Sequence, residues 1–358
     1  MLIKVFKSRM KRKKYKIRRG SLLFNIRVLF LLGTFFLDKT SQVSAMEISK
    51  GISIKVRVVK EIRVTNSGDN DSPVWSPTGK YIVFVRYQRY KGAVNWSIWI
   101  METNGNNQKQ LTKGPIDGSP VWTPDGEKIV YAQLKSTNRK LYFRIMNIDG
   151  LDNHLLIKKG FDSALPLIRF SPDGKQIVVE LGNEEKSEIY ILNLYTEKFR
   201  KLPIPSGYNA MWPSWSPDGK KIVYVVQKKN HNCGKPFNIC VTDLSTGQFH
   251  QLTHINNSNP YYPEVYYPSW SPDGKWIAFI KYEPGTKTKP ERQHIWMMRE
   301  DGTNEIQITK DDKQKEDGPI SWSPDGQKMA FVRNGDIWIA TLKFEKSKGD
   351  NGRNNNKK

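Results

Sequence analysis

The chain has 358 residues and a formal net charge of +23 at pH 7, with 58 Lys and Arg against 35 Asp and Glu. Much of this excess lies at the two ends, because residues 1–45 carry +11 and residues 343–358 carry +4. The remainder carries only +8 over roughly 300 residues, so a basic nucleic-acid-binding surface is not favoured.

The amino-terminal segment, residues 1–45, is organised like an export signal. A strongly basic stretch at 1–20 precedes an apolar run at 28–37, and Val-Ser-Ala at 43–45 matches a small-residue cleavage site. The apolar run has only ten residues, which is short for a bilayer span, so a cleaved signal is favoured over a permanent membrane anchor. Residues 46–60 are then expected to form a short linker.

The body of the chain repeats one five-residue phrase six times. Each copy reads aromatic, Ser or Thr, Pro, Asp or Thr, Gly, and the copies begin at Trp75, Trp122, Phe170, Trp215, Trp270 and Trp322. Their prolines lie 47, 48, 45, 55 and 52 residues apart, which is a period typical of propeller blades. Within each copy, Pro, Asp and Gly suit a tight turn in which Gly takes a positive φ.

Three further segments recur after each phrase. In the first repeat they are an apolar run at 81–84, a third strand at 98–101, and, after an Asn-Gly turn, a short fourth strand at 110–112. Four short strands with two tight turns make one propeller blade. The sequence therefore predicts an all-β fold, a six-bladed β-propeller of four-stranded antiparallel blades.

The sixth repeat has no fourth strand of its own, and the Lys-, Gly- and Asn-rich residues 343–358 are expected to form a disordered basic tail. The segment 61–65 (Glu-Ile-Arg-Val-Thr) resembles 305–309 (Glu-Ile-Gln-Ile-Thr), which precedes the sixth phrase. We therefore expect a latch strand at about 61–66 that completes the last blade and covers two sheet edges. The propeller is predicted to span 61–342.

The repeat pattern also resembles that of a known family. Trp-Ser-Pro-Asp-Gly-Lys-x-Ile-x-Phe, followed by Ile-Trp-x-Met-x-x-Asp-Gly and Leu-Thr, is similar to the WD-like repeats of the TolB-like β-propellers. The resemblance implies an exported protein, periplasmic or secreted, with a protein or peptide partner in the cell envelope, such as a peptidoglycan-associated protein. Because the same repeats serve several kinds of protein, the function is expected to reside in the loops.

Acidic residues precede the innermost strand in five of the six repeats: Asp71, Asp117, Asp162, Glu264 and Asp317. Since innermost strands line the central channel of a propeller, one interpretation is an acidic ring at the channel mouth that binds a divalent cation or basic peptide side chains. The other interpretation is turn chemistry, because Asp before Gly, Ser or Pro commonly caps a turn. No other cofactor is predicted.

The connection 253–268 is rich in aromatic residues and contains three prolines together with Tyr261, Tyr262, Tyr266 and Tyr267. Tyrosine supplies contact area and a hydroxyl group at low entropic cost, so this loop is a candidate peptide or glycan contact. Packing on neighbouring blades is the alternative. The other long loops carry Lys and Arg, which provide solubility or attract an acidic partner or anionic surface.

The chain has two cysteines, Cys233 and Cys240, which flank a loop of the fourth repeat. In an oxidising compartment they would form a local disulfide, and two free thiols are the alternative. His231 lies nearby, but without a second Cys or His pair the pattern does not predict a metal site there.

Catalytic signatures are missing from the sequence. It contains neither Gly-x-Ser-x-Gly nor His-Glu-x-x-His, and its five histidines are scattered. The preferred hypothesis is an exported, monomeric, non-catalytic module that binds a protein or peptide of the cell envelope at its loop-rich channel mouth, touching the membrane only through its N-terminal segment. The alternative hypothesis is an envelope glycan lyase or hydrolase with a metal at the channel mouth.

Overall fold

The computed structural model describes residues 54–90, 93–163, 165–182, 186–229, 236–255, 263–285, 291–310 and 317–346. Within these ranges the ordered elements are β-strands, and no helix there is long and apolar enough to cross a membrane. The predicted export signal at 1–45 lies outside them and stays a prediction.

The described strands form six sheets of four antiparallel strands, which confirms the predicted blades. From the innermost strand outwards, the blades are: blade 1, β2 (Asn70–Trp75), β3 (Tyr81–Tyr90), β4 (Ala93–Glu102) and β5 (Lys109–Gln110); blade 2, β6 (Asp117–Trp122), β7 (Lys128–Leu134), β8 (Leu141–Asn147) and β9 (His154–Leu155); blade 3, β10 (Ile168–Phe170), β11 (Gln176–Gly182), β12 (Ser187–Asn193) and β13 (Phe199–Lys201). They continue with blade 4, β14 (Tyr208–Trp215), β15 (Lys221–Lys228), β16 (Phe237–Asp243) and β17 (Phe249–Gln251); blade 5, β18 (Glu264–Trp270), β19 (Trp276–Glu283), β20 (Arg292–Arg299) and β21 (Ile306–Gln307); and blade 6, β22 (Asp317–Trp322), β23 (Lys328–Arg333), β24 (Asp336–Lys346) and β1 (Ile54–Arg63).

The innermost strands of consecutive blades contact each other, and β22 of blade 6 contacts β2 of blade 1. They therefore close a ring around the propeller axis. Apolar clusters fill the spaces between adjacent sheets; one joins Val83 and Ile98 of blade 1 to Ile129 and Met146 of blade 2. The core is thus a ring of separate layers, each shared by two blades.

The motif tryptophans are buried between blades. Trp122 is 4% exposed, and its indole Nε1 donates a hydrogen bond to the backbone carbonyl of Val74 in the preceding blade, at 3.1 Å. Trp322 makes the corresponding bond to the Ser269 carbonyl, at 3.3 Å. In blades 2 and 6 the side chain that marks the repeat in the sequence therefore also joins it by a hydrogen bond to the preceding blade.

The Ser-Pro-Asp-Gly phrase forms the predicted turn between the first and second strands of a blade. In blade 3, Gly174 has φ of 71° and its N–H donates to the Ser171 carbonyl at 2.9 Å. Asp173 Oδ1 accepts from Ser171 Oγ at 2.6 Å and from the Lys175 N–H at 3.1 Å. These bonds lower the pKa of Asp173, the Ser171 bond contributing most.

The latch strand differs in its bounds from the prediction of about 61–66. Strand β1 spans Ile54–Arg63 and pairs antiparallel with β24 as the outer strand of blade 6. Residues 54–60 therefore belong to the propeller and not to a linker. The physical reason is an apolar alternation at Ile54, Val56 and Val58, whose side chains pack on the core cluster between blades 5 and 6.

The last strand also continues beyond the predicted end of the propeller at residue 342. Strand β24 runs to Lys346, and Phe344 pairs with Val56 across the ladder. Residues 343–346 are thus strand and not tail, because β1 offers backbone partners that the Lys-rich composition does not reveal. The remaining residues of the predicted tail lie outside the described ranges.

A buried polar network secures the latch. Asp336 is 3% exposed and accepts hydrogen bonds from Thr65 Oγ1 at 3.0 Å, the Gly68 N–H at 3.1 Å and Asn70 Nδ2 at 3.2 Å. The Arg63 guanidinium completes it with an ion pair at 2.5 Å. Since Asp336 begins β24, Arg63 ends β1 and Asn70 begins β2, the network fastens the last blade to the first.

Candidate functional site

The innermost strands begin at the face opposite the Ser-Pro-Asp-Gly turns, and there the backbone is irregular. In five blades the pairing between the first and second strands shifts register before the motif aromatic. At these bulges four non-glycine residues take a positive φ: Ser72 (49°), Ser119 (53°), Trp212 (54°) and Tyr267 (52°). Bulky residues rarely adopt this conformation, and such strain tends to gather at functional sites.

The two strained aromatic residues belong to one cluster between blades 4 and 5. The Trp212 ring lies 4.9 Å from the Tyr267 ring and 5.4 Å from that of Tyr266, centroid to centroid. Phe237 packs on Tyr266 at 5.5 Å. Both tyrosines remain half-buried, so each contributes to packing and also presents surface. Tyr261 and Tyr262, the other half of the predicted aromatic loop, lie outside the described residues.

An enclosed carboxylate lies at the corresponding register shift of blade 1. Asp71 accepts a hydrogen bond from the Tyr87 hydroxyl at 2.6 Å and from the Ser72 N–H at 2.6 Å. Burial nevertheless raises the pKa of Asp71. The pKa of Tyr87 is raised well above its usual value, first by burial, then by Asp71, with a smaller contribution from Tyr267.

Asp71, Trp212 and Tyr267 lie at or next to the register shifts of blades 1, 4 and 5, at the same end of their innermost strands. We use the name mouth cluster for Asp71, Tyr87, Trp212, Tyr266 and Tyr267. It combines one enclosed carboxylate with four aromatic rings drawn from three blades. Such a surface suits a ligand that offers both apolar area and hydrogen-bonding groups.

Glu264 also touches the mouth cluster, because its carboxylate accepts a hydrogen bond from the Tyr266 hydroxyl. Burial raises the pKa of Tyr266, and the charge of Glu264 raises it further. Glu264 and Asp71 are therefore the two predicted acids that the structure brings to this region.

The other predicted acids lie elsewhere. Asp117 is 1% exposed and accepts from Gln133 Nε2 at 3.0 Å; burial raises its pKa, and bonds from Thr112 and Gln133 oppose the rise. It borders an open depression between blades 1 and 2. Asp162 has an 87% exposed side chain, 3.9 Å from Lys140 Nζ. Asp317 begins β22, and its side chain lies outside the description.

The five acids occupy different register positions, which explains this scatter. Asp117 and Asp317 precede their motif aromatic by five residues, Asp71 by four, Glu264 by six and Asp162 by eight. Side chains alternate between the two faces of a strand. An acid that precedes the motif aromatic by an odd number of residues therefore faces away from one that precedes it by an even number. Within the described ranges, no three His, Cys, Asp or Glu side chains gather closely enough to hold a metal ion.

Sequence reasoning missed Tyr87 and Trp212. Trp212 occupies the same repeat position as Tyr267, because each lies three residues before its motif tryptophan and directly before a proline. Aligning the repeats on the motif aromatic would have found that pair. Nothing comparable marks Tyr87, which lies on a second strand and meets the site only through the closure of the ring.

The cysteine prediction remains open. Cys240 is fully buried in the core cluster between blades 3 and 4, and burial raises the pKa of its thiol. Cys233 lies outside the described residues, so the disulfide with Cys240 stays a prediction.

Comparison with known proteins gives a consistent result. A family model described as the TolB beta propeller domain matches residues 160–337. An uncharacterised protein of Agrobacterium fabrum is 33% identical over 171 residues, which cover 45% of this chain and 48% of that protein. The Tol-Pal system protein TolB of Francisella tularensis subsp. mediasiatica is 26% identical over 246 residues, covering 58% of this chain and 54% of that protein.

The chain therefore spans about half the length of the curated relatives it matches. A solved structure from Agrobacterium tumefaciens that carries the name TolB superposes with a TM-score of 0.58 at 18% identity, covering 82% of this chain and 98% of that chain. At this level of identity the superposition supports the fold alone.

Proposed function

Because this chain is a TolB-like six-bladed β-propeller, we propose that it is a non-catalytic binding protein of the cell envelope that holds a segment of an envelope protein at the mouth cluster. The observation that carries the proposal is that the Trp212–Tyr267 ring pair and the Asp71–Tyr87 hydrogen bond both lie at the start of the innermost strands.

The composition of the mouth cluster supports a protein or peptide ligand. Trp and Tyr dominate the binding energy of protein interfaces because they bury large rigid surfaces and keep a polar group for orientation. The tyrosines here are half-buried and braced by Trp212 and Phe237. Because this packing already restricts the tyrosine side chains, ligand binding would cost less side-chain conformational entropy.

The strained backbone also supports a binding role for the mouth cluster. Trp212 and Tyr267 hold a positive φ, which costs of order 1 kcal/mol or more for a non-glycine residue. Glycine at either position would remove that cost. Trp212 is 7% exposed and belongs to the core cluster between blades 4 and 5, so its ring supports Tyr266 and Tyr267, which remain half-buried and present surface.

The envelope setting and the partner rest on similarity. A Tol-Pal system protein is among the relatives, so a peptidoglycan-associated protein is the first partner to test. The basic and apolar segment at 1–45 supports export to the periplasm or the medium. The enzymatic alternative has no comparable support, because the predicted acids do not converge in the described part of the chain.

The test is a calorimetric titration of the exported full-length protein with the purified soluble domain of the peptidoglycan-associated protein from the same bacterium. Tyr267→Gly removes the ring and relieves the backbone, so we expect affinity to fall at least tenfold, about 1.4 kcal/mol. The matched control is Tyr195→Gly, because Tyr195 is 95% exposed on a hairpin turn between the two outer strands of blade 3.

The calorimetric titration has three informative outcomes. Loss of affinity in Tyr267→Gly with unchanged affinity in Tyr195→Gly supports the proposal. Equal affinity in both variants and the wild type contradicts the mouth cluster as the site. Absence of any binding to the wild type contradicts this partner class.

A further inference from the structure

One innermost strand carries a charged residue where the other five do not. Arg169 in blade 3 immediately precedes its motif aromatic, and the equivalent residues of the other blades are Val74, Val121, Ser214, Ser269 and Ser321. Blade 3 is also the repeat in which Phe170 replaces the motif tryptophan. Phe170 is only half-buried, whereas the five tryptophans are buried.

A contact in another blade indicates where this position faces. Ser321 Oγ of blade 6 accepts a hydrogen bond at 3.0 Å from the backbone N–H of Trp75, on the innermost strand of the next blade. The same register directs Arg169 towards the innermost strand of blade 4, and β10 and β14 are in contact. This register therefore assigns Arg169 to a position between two innermost strands, which line the central channel.

The hydrogen-bonding capacity of Arg169 is largely unused. Its Nη1 donates to the Ile168 backbone carbonyl at 2.8 Å, which occupies one of five N–H donors. No carboxylate among the described residues forms an ion pair or hydrogen bond with it. Its remaining nitrogens are not sealed from solvent, because none is among the buried unbonded atoms.

The charge is nevertheless enclosed by protein. Burial lowers the pKa of Arg169 to about 10, and no neighbouring carboxylate opposes the shift. A desolvated charge without a counter-ion costs free energy. Because Arg169 is half-buried as a residue and no carboxylate among the described residues pairs with it, its guanidinium is poised to accept an anion from the channel.

The chemistry favours a carboxylate. One planar guanidinium matches one carboxylate through two parallel hydrogen bonds. A phosphate dianion would be better served by a second cation, and no neighbouring Lys or Arg contributes to the lowered pKa of Arg169.

We propose that Arg169 is a carboxylate-binding subsite of the channel, which takes either an acidic side chain or the C-terminal carboxylate of the bound segment. The inference deepens the proposed function and rests on it for the source of the carboxylate. It also differs from the polarity expected from the sequence, because Arg169 is a positive charge, whereas the predicted acids Asp71 and Glu264 accept hydrogen bonds from tyrosines.

The first test observes the guanidinium directly. Full-length protein with ¹⁵N-labelled arginine is titrated with sodium acetate, and with sodium chloride at equal ionic strength, while the arginine Nε–H signals are recorded. Arg169→Lys identifies the signal by its loss. We expect the Arg169 signal to shift and saturate with acetate only; an identical response to both salts overturns the proposal.

Two short peptides distinguish the two possible sources of the carboxylate: acetyl-Gly-Asp-Gly-amide carries an acidic side chain, and acetyl-Gly-Gly-Gly carries a free C-terminal carboxylate. The probe that saturates the Arg169 signal at the lower concentration identifies an acidic side chain or a terminal carboxylate. If neither probe moves the signal, the proposal is overturned.

A stability measurement excludes a purely structural role. Arg169→Met removes an unpaired enclosed charge, so its thermal midpoint in chloride should equal or exceed that of the wild type. The control is Arg200→Met, which removes an exposed charge from β13. A drop of several degrees in Arg169→Met alone would make Arg169 a structural residue and overturn the proposal.

Partner binding separates this inference from the proposed function. With the soluble domain used above, Arg169→Met should bind at least tenfold more weakly than the wild type. If that domain binds neither protein while acetate still saturates Arg169, the proposed function fails and the carboxylate subsite stands. If the domain binds both proteins equally and acetate has no specific effect, the subsite fails and the proposed function stands.

Discussion

The two faces of the propeller use the same residue types in opposite ways. On the turn face, Asp173 and Asp218 accept short bonds from serines at 2.6 Å, and these bonds lower the pKa of both carboxyl groups. On the face where the innermost strands begin, burial raises the pKa of Asp71 and Asp117. The hydrogen bonds on the turn face stabilise the fold. Burial of Asp71 and Asp117 on the other face lowers stability but holds polar groups in place there.

Backbone conformation follows the same division. Left-handed positions in the Ser-Pro-Asp-Gly turns are glycines, such as Gly174 and Gly219, both at φ of 71°. At the mouth cluster they are Trp212 and Tyr267, at 54° and 52°. The contrast teaches that the turn face is optimised for folding and the mouth face for presenting side chains, as strained residues at binding sites generally indicate.

The largest expected effect is loss of an inter-blade tryptophan. Trp122→Ala removes a ring that is 4% exposed, together with its bond to Val74, so the free energy of unfolding should fall by about 3–5 kcal/mol. Two substitutions at Trp212 test whether the backbone at the mouth cluster is strained. Trp212→Gly should be more stable than Trp212→Ala, because only Gly relieves the positive φ.

Urea unfolding of all four variants, Trp122→Ala, Trp122→Gly, Trp212→Ala and Trp212→Gly, measures both effects. At Trp122, Ala should be the better replacement, by about 0.5–1 kcal/mol. The same order at Trp212 would contradict the claim of strain at the mouth.

The next effect concerns the latch that joins the first and last blades. Asp336→Ala leaves the Thr65 hydroxyl and the Gly68 N–H without their acceptor and removes the ion-pair partner of Arg63, and we expect a loss of about 2–3 kcal/mol in urea unfolding. Glu345→Gln is the control, because it removes an exposed ion pair with Arg57 between the same two strands. It should leave the unfolding midpoint unchanged, and equal losses in both variants would contradict the network.

The pH dependence tests the opposite signs of the two kinds of acid. Asp218 has a lowered pKa, so its stabilisation is present above its unfolded pKa of about 4 and is lost as the pH falls through the folded pKa. Asp71 has a raised pKa, so its ionised form lowers stability at neutral pH, and that penalty fades as the pH falls through the raised value.

We therefore expect Asp218→Asn to lower stability at pH 7 by about 0.5 kcal/mol, a small value because the turn is exposed to solvent. Asp71→Asn should leave stability unchanged or raise it. Both differences should shrink in unfolding curves recorded near pH 3. A loss of stability at pH 7 in both variants would show that the two faces do not differ in this respect.

The smallest effect is expected at Asp162, an acid that the sequence grouped with Asp71. Its side chain is 87% exposed and lies 3.9 Å from Lys140, so Asp162→Asn should change stability by less than about 0.5 kcal/mol. Partner binding in the calorimetric assay should not change either. A tenfold loss of affinity would extend the binding surface to the outer loops and weaken the case for the mouth cluster.

Much of the fold was predictable because its signals are local. The Pro-Asp-Gly sequence determines a turn by itself, and its repetition at a fixed period predicts blades. The bounds of the latch were less accessible. Residues 54–60 mix four apolar residues with three basic ones, and their role in β1 depends on a partner, β24, at the other end of the chain.

The binding site was predicted only in part. Tyr266 and Tyr267 were identified, but as members of a loop and not as residues braced by Trp212 of the preceding blade. The acids were grouped by their proximity to the innermost strands, and a difference of one residue in register separates Asp71 from Asp117. Register at a bulge depends on the partner strand, which the sequence alone does not specify.

The sequence by itself determined the repeating unit, the number of blades and the chemistry of the turns, since each depends on contacts within a few residues. Only the tertiary structure decided which blades contribute to the proposed sites, because Asp71, Tyr87, Arg169, Trp212 and Tyr267 belong to blades 1, 3, 4 and 5. Closure of the ring also determined how far their charged groups are buried. Burial raises the pKa of Asp71 and leaves Arg169 enclosed without a counter-ion, whereas the same residue types on the turn face remain hydrated.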